Sequence, residues 1–204
     1  MKQFDGHLLR RHEFPQKLLG LFAATFEFEE DNGTATGSPA KGTTRTAART
    51  EANWKNIDDS TTAYSSNPIT AGNNSYQKNQ FGHFSGTFNQ ILNGFFAHTA
   101  TAFGTGLTLK GVPTCTGDAS RYLYVTPSTT ADTNLTTDMT SAIAIGSGVA
   151  VCFGATGPEA TGKATSMTTN PCYSNFLTTQ LQTTGSAAAG DTATVTLTHQ
   201  YDEN

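Results

Sequence analysis

Threonine supplies 37 of the 204 residues, more than any other type. Its β-branched side chain is stiff at χ1 and packs well on a pleated, half-exposed surface, so a chain this rich in it is driven toward strands. Alanine, glycine and serine raise the total to 94 residues, which predicts a surface that is polar without being charged. Charged residues make up 14% of the chain, against ~25% in ordinary globular proteins. They are also unevenly spread, with 17 of the 28 within the first 60 positions. A net charge of −4 alongside 13 Phe, 6 Tyr and 1 Trp is the wrong composition for a disordered chain, which carries high net charge and few aromatics.

The strand signal is clearest at the end of the chain. Ala193, Val195, Leu197 and His199 share one parity there, and Thr192, Thr194, Thr196 and Thr198 the other. Such alternation marks a strand with one buried face. Shorter alternations at residues 107–112, 121–126, 142–145, 149–153 and 176–181, divided by Gly, Pro, Asn and Asp, predict further strands. The expected fold is mainly β, a β-sandwich or open barrel of jelly-roll-like type, with one short helix and an extended N-terminal arm. No repeat of fixed period speaks for a propeller or β-helix.

Three segments divide the chain. Residues 1–60 form a charged arm, in which Leu8, Leu9, Phe14 and Leu18 are isolated apolar points and Pro15 breaks any single helix. Phe26 and Phe28 then alternate with Thr25, Glu27 and Glu29 as a strand, and Asn32-Gly33 signals a hairpin whose return strand is weak. Residues 61–104 combine a polar crossing with a Phe-rich stripe. The crossing runs from Gly37 to about Asn79 and is expected either to be disordered or to lie along a neighbouring subunit. Phe84, Phe88, Ile91, Leu92, Phe95 and Phe96 recur at spacings of three and four, which predicts a core helix between positions 81 and 103. Residues 105–204 are the threonine-rich β domain.

Several functions are disfavoured. Charges interrupt every apolar run near Met1 before a signal peptide could form, and no 18 consecutive residues are apolar, so neither secretion nor a membrane helix is expected. Beyond position 60 only Lys78, Lys110, Arg121 and Lys163 are basic, too few and too scattered for a nucleic-acid footprint. Cys115, Cys152 and Cys172 contain no CxxC pair and read as reduced thiols, one disulfide remaining open.

No motif carries a reaction. Gly157 to Lys163 approximates a phosphate-binding loop, yet Ala164 stands where a Mg²⁺-binding hydroxyl belongs, Pro158 removes an amide donor, and residues 166–171 do not read as the required helix. His7, His12, His83, His98 and His199 lack metal-ligand spacing. Cys172 with His199 has no elbow motif around it, and reads as a buried thiol and a strand-end histidine. Glu27, Glu29, Glu30 and Asp31 form the densest carboxylate group, expected to be a solvated hairpin tip rather than an acid–base pair or Ca²⁺ loop. No catalytic residue, cofactor or metal is expected.

The unprocessed Met1 start, the charged arm through Arg10 and Arg11, the polar crossing and the Thr/Ala/Gly-rich strands ending at Gly190–Thr198 together resemble virion structural proteins of tailed bacteriophages, in particular capsid decoration or cement proteins. The resemblance implies a β-rich, non-enzymatic protein of the virion, synthesised in the host cytoplasm, that bridges neighbouring capsid subunits as a homo-oligomer, with no nucleic-acid or membrane partner. Leu8, Leu9, Phe14, Leu18, Phe26 and Phe28 are the candidate subunit contacts. The alternative is a glycan- or receptor-binding head of a fibre, using its Thr- and Asn-rich loops.

Overall fold

A computed structural model describes residues 23–99, 104–112, 123–139, 141–143, 149–160, 164–188 and 195–204. Two antiparallel sheets pack face to face as a β-sandwich. The larger is built from β1 (Ala23–Asn32), β2 (Thr44–Thr46), β3 (Lys78–Thr87), β5 (Leu107–Val112), β6 (Thr137–Asp138) and β11 (Leu177–Thr183), in the order β2-β1-β3-β11-β5-β6. The short β10 (Cys172–Ser174) pairs with β3, and β8 (Phe153–Gly154) pairs with β10. The smaller sheet runs β12-β4-β7 and comprises β4 (Ile91–His98), β7 (Val149–Ala150) and β12 (Leu197–Glu203), with β9 (Ser166–Met167) also on β4. Strands from all three sequence segments share these sheets: β1 pairs β3 along nine residues, and β11 pairs both β3 and β5.

Residues directly opposite one another in a ladder share a face. Phe26 faces Phe84, Glu30 faces Gln80, Gln80 faces Leu177 and Leu181 faces Leu109, which fixes the inner face of the larger sheet. Against its apolar part pack Ile91 and Phe96 from the other layer, together with Val151 and with Phe153 of β8. Phe26 and Phe28 therefore join the core, with ring centroids 5.0 Å apart edge-to-face, and Phe26 lies 5.2 Å from Phe84. Gly82 is required at this point: a Cβ there would lie 2.7 Å from the Phe26 ring. The opposite face carries Phe81, which packs with Tyr124, Leu135 and Phe176 in a second, smaller core.

The Phe-rich stripe is not a helix. Phe84 lies on β3 and Ile91, Leu92, Phe95 and Phe96 on β4, in different sheets, and the turn between them, which holds Phe88, carries the chain from one layer to the other. Among the described residues the helical segment is a 3-10 turn at Tyr64–Ser66, and no helix is long and apolar enough to cross a membrane. The misleading period has a local cause. Within β4, Asn93 adopts φ 49°, and the pairing with β12 slips between Gln200 and Asp202. A bulge inserts one residue and reverses the parity of the strand. Ile91, Gly94, Phe96 and His98 consequently all lie buried, and a three-residue step imitates helical spacing. Gly94 has no room for a side chain, since a Cβ would sit 2.4 Å from Phe153 and 2.5 Å from Val151.

The polar crossing is ordered. It closes over its own sheet, held by polar contacts a composition reading cannot anticipate. The Trp54 indole N–H donates to Thr179 Oγ1 at 3.0 Å, Asp58 accepts from the Asn32 amide (2.9 Å) and the Gly33 N–H (2.8 Å), and the Ser60 hydroxyl meets that of Thr46 at 2.7 Å. Asn32-Gly33 begins a connection of eleven residues rather than a two-residue hairpin, and the return strand is the three-residue β2. Cys152 is disulfide-bonded, the alternative the sequence left open, and Cys172 is a fully buried thiol. Cys115 lies outside the described residues, as do Leu8, Leu9, Phe14 and Leu18.

Candidate functional site

The four acidic residues expected at an exposed tip are divided between the two faces of β1. Glu30 points inward and is fully buried, and Glu29 and Asp31 on the outer face are also buried. Alternation alone dictates the split; what it could not reveal is that both faces are covered.

Inside, Lys78 Nζ donates to Glu30 Oε1 at 3.0 Å and to the Asp59 carbonyl at 2.7 Å, with both side chains of the ion pair fully buried. Burial pushes the Lys78 ammonium below its usual range, and Glu30 opposes this. Gln80 and Asn32 add further hydrogen bonds to Glu30, so its carboxylate is solvated entirely by protein. Lys55, also fully buried, donates to Asp59 Oδ1 at 2.8 Å and to the Thr62 carbonyl. Burial raises the Asp59 carboxyl, but hydrogen bonds from Lys55, Thr62 and Thr61 outweigh it and hold the group well below the ordinary carboxylate range. This network fastens the loop at residues 54–62 to the sheet.

Outside, a row of side chains crosses four strands: Glu27 on β1 faces His83 on β3, which faces Tyr173 on β10, which faces Gly154 on β8. His83 Nδ1 lies 3.1 Å from Glu27 Oε1 and 2.9 Å from Glu29 Oε1. The His83 and Tyr173 rings stack at 4.7 Å with 9° between their planes, which fixes the imidazole's orientation. Arg45 closes the far side. It donates from Nε to Asp31 at 2.7 Å, reaches Glu159 at 3.4 Å, approaches Glu29 Oε2 at 3.9 Å and lies 4.7 Å above the Phe81 ring. Burial pushes the Glu29 carboxyl up, with His83 and Arg45 pulling against it. The same cause raises the Tyr173 phenol, and the Glu29 charge adds to it. One ligand atom from each of Glu27, Glu29 and His83 lies within 4.8 Å of the others. Sequence reading missed this group because His83 stands 56 positions from Glu27, and only strand pairing joins them.

The other sequence candidates are not brought together. After Gly157 the chain turns at Ala160 and returns as an antiparallel bridge from Ala164 to Phe153 and as β9, so a strand stands where a phosphate-binding loop needs a helix; residues 161–163 lie outside the described set. His199 sits among Phe26, Phe84 and Tyr201, its ring centroid 5.3 Å from that of Phe26. Burial drives its pKa down to about 3, the Gln200 backbone opposing. Neither ring nitrogen reaches a partner in hydrogen-bond geometry, so Cys172 and His199 form no nucleophile–base pair. His98 Nδ1 lies 3.1 Å from the Thr99 carbonyl, and His7 and His12 lie outside the described residues.

Compared with protein-family models, with curated proteins and with solved structures, the chain finds no match in any of the three.

Proposed function

We propose that the chain is a non-enzymatic virion structural protein, a decoration or cement protein that bridges neighbouring shell subunits as a homo-oligomer. The observation that carries this reading is how the body uses its charged side chains. Lys78 with Glu30 and Arg45 with Asp31 tie neighbouring strands together, and Lys55 with Asp59 braces the covering loop, which favours a rigid building block over a reactive surface. The outward surface left by a threonine-rich chain is sparsely charged, so close-packed copies of it repel one another little. Leu123 and Val125 add exposed apolar area to it, 56% and 41% accessible. In this reading Leu8, Leu9, Phe14 and Leu18 reach from the body to adjacent subunits, and each contact is multiplied by the symmetry of the shell.

Co-sedimentation of the full chain with assembled, undecorated phage shells tests the proposal. The unmodified chain is expected to pellet with shells, and a Leu8→Asp/Leu9→Asp variant to remain in the supernatant while keeping its fold by circular dichroism. A chain that never pellets, or a variant that pellets equally well, overturns the reading. Saccharide binding unaffected by the arm variant would favour a glycan-binding head instead.

A further inference from the structure

We propose that Glu27, Glu29 and His83 form a binding site for a single divalent transition-metal cation, with Zn²⁺ the best chemical fit. Supply and demand conflict at one nitrogen of His83. Neutral imidazole has at most one proton on Nδ1, yet that atom stands 3.1 Å and 2.9 Å from oxygens of two different carboxylates. A cation at the centre of the three would be shared by all of them. Donor atoms around a tetrahedral Zn²⁺ are ~3.4 Å apart, given bond lengths of about 2.0–2.2 Å. The two His83–Glu separations already lie near that value, and all three donors are within 4.8 Å of each other, so a small rotation of the Glu27 carboxylate completes the arrangement.

Local charge points the same way. Glu27, Glu29 and Asp31 project from one face of β1, and the cationic partner fixed among them, Arg45, is bonded to Asp31 and shared with Glu159. Glu29 divides its oxygens, Oε2 toward Arg45 and Oε1 toward His83, which leaves Oε1 as the ligand atom. The frame is rigid: both glutamates lie on β1, His83 lies directly across on β3, and the Tyr173 ring holds the imidazole plane. Preorganised ligands on paired strands lose little freedom on binding. The Glu27 side chain is 34% accessible, so the remaining coordination position opens to solvent and would be filled by water. One imidazole and two carboxylates, with no thiolate, suit Zn²⁺ or Mn²⁺ and not Cu(I).

The test uses the full chain, stripped with EDTA and titrated with ZnCl₂ by calorimetry at neutral pH, with Co²⁺ as a spectroscopic substitute. One equivalent is expected to bind, raise the thermal midpoint and give the visible absorption of low-coordinate Co²⁺. Glu27→Gln, at a partly exposed position that the fold tolerates, is expected to weaken binding by at least about tenfold, and His83→Gln to abolish it. A His7→Gln/His12→Gln variant should bind normally. Absence of saturable binding by the unmodified chain up to millimolar Zn²⁺ overturns the proposal, and so does unchanged affinity in Glu27→Gln, which decides the matter even if His83→Gln fails to fold.

Discussion

The same two strands carry two opposite kinds of interior. Along the inner face of β1 and β3, Phe26, Phe28 and Phe84 occupy one half and Glu30, Lys78 and Gln80 the other. The first half is covered by a second sheet and the second half by a loop, and the difference in cover explains the difference in chemistry. A sheet satisfies its own backbone hydrogen bonds, so it can present a dry apolar face. A loop brings unpaired amides and carbonyls, and the sheet beneath must answer them with charges and hydroxyls. Lys78 does this by serving the Asp59 carbonyl and the Glu30 carboxylate at once.

The sharpest way to break the comparison is to titrate the histidine buried in the apolar half. His199 has a folded pKa of about 3, below the ~6.5 of an unfolded chain. Between these values the unfolded state binds the proton and the folded state does not, so stability falls as pH drops from about 6.5 toward about 3, by roughly 5 kcal/mol at the limit. Urea denaturation of a His199→Leu variant should show that component gone and stability at pH 7 equal or higher. An unchanged pH slope would place the acid sensitivity elsewhere.

In the polar half, Lys78→Met strands a buried carboxylate and should cost ~3–5 kcal/mol in a urea midpoint series. Adding Glu30→Met is expected to restore much of this, because the pair is then removed as a unit. Were the double variant as unstable as the single, the lysine would matter through Asp59 alone. Gly94→Ala probes the dry half by overpacking. The added methyl meets Phe153 and Val151 and should lower stability by about 1–3 kcal/mol, readable as a depressed thermal midpoint. The smallest effect is expected from Trp54→Phe, which keeps one aromatic ring in place of the indole and loses the bond to Thr179, at about 1 kcal/mol; a loss several times larger would mean that the loop is held by its indole more than by its charges.

These contrasts also explain what could be read from the chain. Residues 107–112 form a strand with the expected limits, and Val195 and Leu197 pack on the core as their alternation requires, because an uninterrupted period of two leaves no other solution. The Phe-rich stripe misled because one bulge at Asn93 shifts the phase, and a parity change looks like a helical step. Trp54 stands in the polar crossing with no periodic pattern around it, and it lies against the core and bonds to a residue 125 positions away. The Glu27–Glu29–His83 group was illegible for a related reason: strand pairing assembles it, and pairing is not a local property.

The clamp around Lys78 also bears on how the molecule opens. Segments without regular secondary structure ordinarily exchange their amide hydrogens through small local fluctuations, far below the cost of global unfolding. Here the Thr61 and Thr62 amides donate to Asp59, whose carboxylate is held by one buried lysine and whose carbonyl is held by another. Releasing either amide loosens the clamp around the buried ammonium groups of Lys55 and Lys78. Hydrogen exchange at these two threonines should therefore track the most protected strands, and a stretch that reads as a linker belongs to the last part of the protein to let go.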